Sequence, residues 1–111
     1  MSIIGGSSDI SVISPQEAYQ AMKTSDKYIL LDVRTISEYR ELRIEGAKSI
    51  PLDELGSRAP AELSDNNISI FVYCRGGGRA AQAAKLLVGM GYTSVFNIGG
   101  IVNWPYDTTK G

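Results

Sequence analysis

Two short, almost unbroken apolar runs constrain the fold of this chain more than any other feature: Tyr28–Val33 (YILLDV) and Ile68–Tyr73 (ISIFVY). Neither shows the regular apolar–polar alternation of a strand with one wet face. Both are too short for a typical buried helix. Runs of this kind fit strands covered on both faces, as in parallel sheets, and parallel neighbours must be joined by crossover segments, usually helices. The second run is the most β-prone in the chain and is expected to be a central strand.

The rest of the chain supplies the helices and edge strands that such a sheet needs. Ile10–Ile13 reads as a short strand. Ser14-Pro15-Gln16-Glu17 carries a helix start, with Ser at the N-cap, Pro at the first helical position and Glu three residues after the cap. That helix turns Ala18, Ala21 and Met22 to the core and fades near Thr24-Ser25-Asp26. A helical turn is expected over Ser37–Leu42, with Arg34 and Glu38 at pairing distance. Ala47–Leu52 reads as a strand stopped by Pro51. Residues 53–63 read as helix in two pieces, broken by Gly56 and Pro60.

After a turn at Asp65-Asn66-Asn67 and the central strand, Arg79–Met90 is expected to be helical. Ala80, Ala83, Ala84, Leu87 and Val88 form its apolar face, and Gly91 sits at its C-terminal cap. Tyr92–Ile98 supplies a last strand, and Gly99-Gly100 leads to a terminal segment holding Trp104. Tyr92 and Phe96 are expected to serve packing. The fold class is therefore α/β: one open, mostly parallel sheet of about five strands with helices on both faces. Residues 1–9, rich in Gly and Ser, are expected to be a flexible segment, and residues 10–111 a single domain.

Composition removes several function classes. Eleven basic residues against twelve acidic ones give a net charge of −1, so nucleic acid is not an expected partner. No apolar stretch approaches the roughly 20 residues that span a bilayer. A single cysteine and the absence of a basic, apolar leader point to the cytoplasm, where a free thiol persists. Histidine is absent, which removes the commonest metal ligand and general base together. No metal and no cofactor are expected.

The one thiol stands in FVYCRGGGRAAQAAKLL, residues 71–87. Cys74 ends the predicted central strand, and a helix follows within five residues. In open α/β sheets this carboxyl edge is where ligands bind. Backbone N–H groups of the turn and the helix N-terminus favour an anion there, and equally a thiolate. Gly76, Gly77 and Gly78 permit positive φ and leave no side chain between a ligand and the amides. A free cysteine is more often an inert small hydrophobe, but this position and three successive glycines point to a nucleophile. Papain-like acyl transfer is excluded, because it needs an imidazole base. Phosphate-ester hydrolysis and transfer of a sulfane sulfur both remain; the second needs no general base.

Four segments then resemble a single-domain rhodanese, a small sulfurtransferase: ISPQEAYQAM (13–22), LLDVRTISEYRELRIEGAKSIPL (30–52), VYCRGGGRAAQAAKLL (72–87) and VFNIGGIVNW (95–104). The resemblance covers nearly the whole chain in the family's order. It implies a catalytic Cys74 opening a six-residue loop through Arg75, Gly76, Gly77, Gly78 and Arg79, which hold the substrate. Related phosphatases use a loop one residue longer, so the shorter loop here is similar to one sized for sulfur. The chain departs from the family at Leu42-Arg43-Ile44, where members often carry Gly-His-Ile.

By this resemblance Cys74 takes sulfur from a small anionic donor such as thiosulfate and passes it from a persulfide to cyanide, a thiol or a protein acceptor. Arg75 is similar to the cationic residue of thiosulfate-using loops and is placed to draw the donor. Arg79 is expected to tie the loop to a carboxylate, and a charge at a helix N-terminus requires such compensation. Asp32 and Arg34 are expected to be structural, with Arg34 pairing Glu38. Trp104 is expected to pack on the domain. A monomer is expected. A cysteine-dependent phosphatase and a non-catalytic persulfide carrier or interaction module are the alternatives.

Overall fold

The computed structural model describes residues 10–111, so the expectation for residues 1–9 lies outside the described residues. The chain runs β1 (Ser11–Val12), α1 (Pro15–Lys23), β2 (Tyr28–Asp32), α2 (Ile36–Glu41), β3 (Arg43–Ile44), β4 (Lys48–Ser49), α3 (Leu52–Glu62), β5 (Ser69–Cys74), α4 (Gly78–Gly89) and β6 (Val95–Gly100). A 3₁₀ turn over Ile101–Asn103 and β7 (Thr108–Thr109) complete it. Five strands form one sheet in the order β1-β6-β5-β2-β4, and every pairing in it is parallel. The two apolar runs are its centre, β5 beside β2. A small antiparallel pair, β3 with β7, was not legible in the sequence, because two-residue strands carry no periodicity.

Side-chain alternation along β5 divides the core. Ile70, Val72 and Cys74 face one layer with Leu55, Ala59, Leu63, Ala83 and Leu87, from α3 and α4 and their flanks. Phe71 and Tyr73 face the other, with Ala18 of α1, Ile44 and Ile98. Leu55, Leu63 and Leu87 are fully buried, and each such side chain contributes about 2 kcal/mol by leaving water. Ala80, Ala83 and Ala84 are also buried, so α4 lies close on the strand that carries the cysteine.

Several boundaries differ from expectation for identifiable reasons. α3 is one continuous helix rather than two pieces. Pro60 cannot donate to the carbonyl four residues earlier; that carbonyl belongs to exposed Gly56, where water can satisfy it. Helical bonding continues past the proline, with Leu63 N–H donating to the Ala59 carbonyl at 2.7 Å. The expected Ala47–Leu52 strand is reduced to Lys48–Ser49, because Pro51 and Leu52 already open α3. The last strand is shifted to Val95–Gly100, with Tyr92 left in the turn before it. Tyr92 still packs as expected: it is buried, and its hydroxyl donates to the carbonyls of Ala59 (3.1 Å) and Leu63 (2.6 Å). Phe96 stacks on Phe71 at 5.0 Å between ring centres. Among the described residues no helix is long and apolar enough to cross a membrane.

Candidate active site

The sheet delivers its strand ends to one edge, and two β–α turns meet there. β5 ends at Cys74, which pairs in register with Gly100 of β6 after an irregularity between Val72 and Cys74. β6 carries the extra residue, advancing from Asn97 to Gly100 while β5 advances from Val72 to Cys74, so the irregularity bends the end of β6 beside the cysteine and leaves the β5 alternation intact. The sulfur is almost fully enclosed, with Cys74 1% exposed. The Gly77 N–H donates to Cys74 Sγ at 2.8 Å. Gly77 is also the N-cap of α4, so the sulfur sits at the positive end of a twelve-residue helix. The geometry treats sulfur as an acceptor of amide hydrogen, which is the arrangement an anionic sulfur needs.

The three loop glycines are not equivalent. Only Gly77 has a positive φ, +110°, which an L-residue with a side chain adopts under strain. A Cβ on Gly76 or Gly78 would meet nothing within 4 Å, so these two leave open space rather than enable a turn. Arg75 is exposed and among the described residues forms no ion pair. Two hollows flank the loop on this edge. One, of about 220 Å³, has Arg75, Glu41, Leu42 and Val102 in its wall. The other, of about 460 Å³, has Arg79, Thr35, Pro51 and Asp53.

Arg79 reaches from the start of α4 to the second turn. Its Nη1 and Nη2 donate to the two oxygens of Glu38 at 2.7 and 3.0 Å. Glu38 is also the third helical residue of α2 and accepts from the Thr35 N–H at 3.0 Å, while Thr35 Oγ1 accepts from the Glu38 N–H. The Arg79 guanidinium, helped by Thr35 and opposed by burial, holds the Glu38 carboxyl at about 2, well below its usual 4.5. The same pairing raises the Arg79 pKa, with a smaller contribution from Cys74. The unfavourable cation at the start of α4 is thus neutralised by a carboxylate, as expected. The expected Arg34–Glu38 pair is not formed, because Glu38 is committed to Arg79 and to its own helix cap.

Arg34 instead turns back on Asp32. Its Nε lies 3.1 Å from both carboxylate oxygens and its Nη2 2.7 Å from Oδ2. Both residues are buried. Tyr73, the residue before the cysteine, donates its hydroxyl to Asp32 Oδ2 at 2.8 Å and accepts from the Ile44 N–H at 3.1 Å. Burial works against the Arg34 charge, but the bonds to Asp32 and its charge outweigh it and raise the pKa. Burial and the nearby Asp32 charge push the Tyr73 hydroxyl up, so it stays a donor. The network reaches the Leu42 carbonyl through Arg34 Nη2. The departure at Leu42-Arg43-Ile44 therefore leaves the turn anchored, through the Leu42 carbonyl and the Ile44 N–H, the buried Ile44 side chain, and Arg43 Nη1, which donates to the Tyr39 carbonyl at 3.3 Å.

Trp104 packs against the body of the domain, as expected. It packs edge-on to Tyr19 and Tyr106 and borders a hollow of about 270 Å³ that also includes Tyr28, at the amino end of β2. The sequence reading missed Glu38 as the partner of Arg79, Tyr73 as the centre of the buried network, and Gly99-Gly100 as a wall of the loop. Thr35-Ile36-Ser37-Glu38 is a capping-box pattern, which marks Glu38 as fixed at the start of α2 but does not name Arg79 as its partner. The other two depend on which strands are neighbours.

A family profile described as the Rhodanese-like domain matches residues 14–106. The chain is similar to Thiosulfate sulfurtransferase PspE of Escherichia coli (strain K12), 37% identical over 81 residues, 73% of this chain and 78% of the relative. It is also similar to the Putative sulfur carrier protein YrkF of Bacillus subtilis (strain 168), 34% identical over 102 residues, 91% of this chain but only 54% of that longer protein. A solved structure described as a rhodanese with anions from E. coli superposes with a TM-score of 0.72 at 36% identity, covering 76% of this chain and 99% of that one.

Proposed function

The chain belongs to the rhodanese-like domain family of sulfurtransferases, and on that premise we propose that Cys74 carries sulfane sulfur from thiosulfate to a thiophilic acceptor by double displacement. The observation that carries the reading is the Gly77 N–H directed at Cys74 Sγ, 2.8 Å away, at the start of α4. In the first step the Cys74 thiolate attacks the outer sulfur of thiosulfate. A new S–S bond forms to Cys74, the S–S bond of thiosulfate breaks, and its electron pair leaves with sulfite. In the second step cyanide, a thiolate or a protein sulfur nucleophile attacks the outer sulfur of the persulfide, and the electron pair returns to Cys74. No proton has to be moved at either transition state, which suits a site without an imidazole base. The negative charge on the outer sulfur is stabilised by the loop amides and the α4 terminus.

Arg75 is exposed at the mouth and supplies a charge to attract the dianionic donor. Gly76 and Gly78 keep the amides accessible to it. Arg79 belongs to the site through Glu38, which holds the loop to α2, rather than through the donor. The reading carries the expectation of a monomer in a reducing compartment, where Cys74 stays a thiol.

A second reading, a persulfide carrier with little turnover of its own, is favoured by the likeness to the protein named as a putative sulfur carrier. Initial rates of thiocyanate formation from thiosulfate and cyanide separate the two. Parallel double-reciprocal lines, abolished in Cys74→Ser, are expected of the transferase. Sulfur loading without thiocyanate turnover would assign the carrier role. Cys74-dependent hydrolysis of an aryl phosphate would overturn both.

A further inference from the structure

The Cys74 loop does not stand free above the sheet; its Arg75–Gly76 peptide lies against the end of a neighbouring strand. A Cβ placed on Gly100 would overlap the Arg75 carbonyl and crowd the Gly76 Cα. No other glycine in the described chain is approached so closely. Gly100 has an ordinary extended backbone, φ −123° and ψ 152°, so conformation does not demand a glycine there. The close approach does. Beside it, Gly77 lies within ordinary contact of Gly99, where a Gly77 Cβ would meet the Gly99 Cα at 3.7 Å. Two further bonds hold this wall. The Val102 N–H donates to the Arg75 carbonyl at 3.4 Å, and the Gly99 N–H donates to Oδ1 of the largely buried Asn97 at 2.9 Å.

A trans peptide points its C=O and N–H in opposite directions. With the Arg75 carbonyl turned toward β6, the Gly76 N–H is turned away from β6. We propose that Gly100 is a positioning residue for sulfur transfer: its missing side chain lets the Arg75–Gly76 peptide dock on β6, which keeps a carbonyl off the anionic sulfur and aims a second amide, that of Gly76, at the outer sulfur of the persulfide. The proposal rests on the persulfide reading above. It adds a residue from a different strand, 26 positions after the cysteine, to the machinery that holds the sulfur.

The test begins with the wild-type protein labelled with ¹⁵N, before and after persulfide loading. Inorganic polysulfide loads the thiol if thiosulfate does not: the Cys74 thiolate displaces a shorter polysulfide and keeps one sulfur, and intact mass reports the gain. The Gly76 and Gly77 amide resonances are expected to move on loading, while that of Val102, bonded to the Arg75 carbonyl, stays. Movement of Gly77 without Gly76 overturns the proposal. Gly100→Ala is then compared in steady state with thiosulfate and cyanide. A fall in kcat of about tenfold or more, with KM for thiosulfate within about twofold, is expected of displaced amides with Arg75 still exposed. A folded variant with unchanged kcat overturns it; if the variant does not fold, the wild-type spectra decide. Failure of thiosulfate with success of polysulfide would count against the donor assignment and leave the positioning test intact.

Discussion

Replacing Glu38 by Gln separates the charge of this residue from its shape. The glutamine oxygen can still accept from the Thr35 N–H, so the α2 cap persists, while the ionic part of the contact to Arg79 is lost. A carboxyl drawn from 4.5 to about 2 in the folded chain corresponds at face value to about 3.4 kcal/mol of pH-dependent stability. The side chains of Arg79 and Glu38 are 35% and 26% exposed, and solvent screening of such a pair reduces the usable figure to about 1 kcal/mol. The sign is fixed by linkage. Because the folded-state pKa is depressed, the contribution is complete above the unfolded value near 4.5 and disappears as pH falls through about 2. Urea unfolding of wild type and Glu38→Gln at pH 7 is expected to differ by about 1 kcal/mol, and the gap is expected to close between pH 5 and about pH 2. A gap that keeps its size at pH 2, or one absent at pH 7, would refute the assignment of the Glu38 shift to Arg79.

Two further perturbations probe the buried network and the loop mouth. Tyr73→Phe leaves Asp32 one donor short and the Ile44 N–H without its acceptor, at full burial; a loss of about 1–3 kcal/mol in urea unfolding is expected, and a loss below about 0.5 kcal/mol would mean that water or a shifted backbone replaces the hydroxyl. Arg75→Gln removes an exposed charge with no ion pair among the described residues; initial rates should show KM for thiosulfate raised several-fold with kcat largely kept, and an equal loss in both would place Arg75 in the transition state instead.

How much of this was legible beforehand depends on how local each feature is. The apolar runs YILLDV and ISIFVY give their strands directly, since double-sided burial leaves its mark within one run. Ser14-Pro15-Gln16-Glu17 gives the start of α1, because a capping box closes within four residues; both of its bonds are present. Cys74 and the turn into α4 are likewise contiguous. Partner choice is different. Arg34 had two acceptors within reach of its side chain, and sequence spacing favoured the helical partner Glu38. The buried carboxylate two residues back prevails because Asp32 would otherwise sit uncompensated inside the sheet. Pro60 misled in the opposite sense: it breaks a bond whose acceptor, at Gly56, is exposed and needs no helical partner. Gly99-Gly100 carried no local sign of its purpose, since its neighbour in space, Arg75, is set by the order of strands.

The most direct measurement is the intact mass of the protein after treatment with thiosulfate and desalting, beside Cys74→Ser treated in the same way. A gain of one sulfur atom by the wild type is expected, with none in the variant and with the gain reversed by cyanide as thiocyanate is released. Unchanged mass in the wild type, or sulfur retained equally by Cys74→Ser, would contradict a persulfide on Cys74 as the centre of the chemistry.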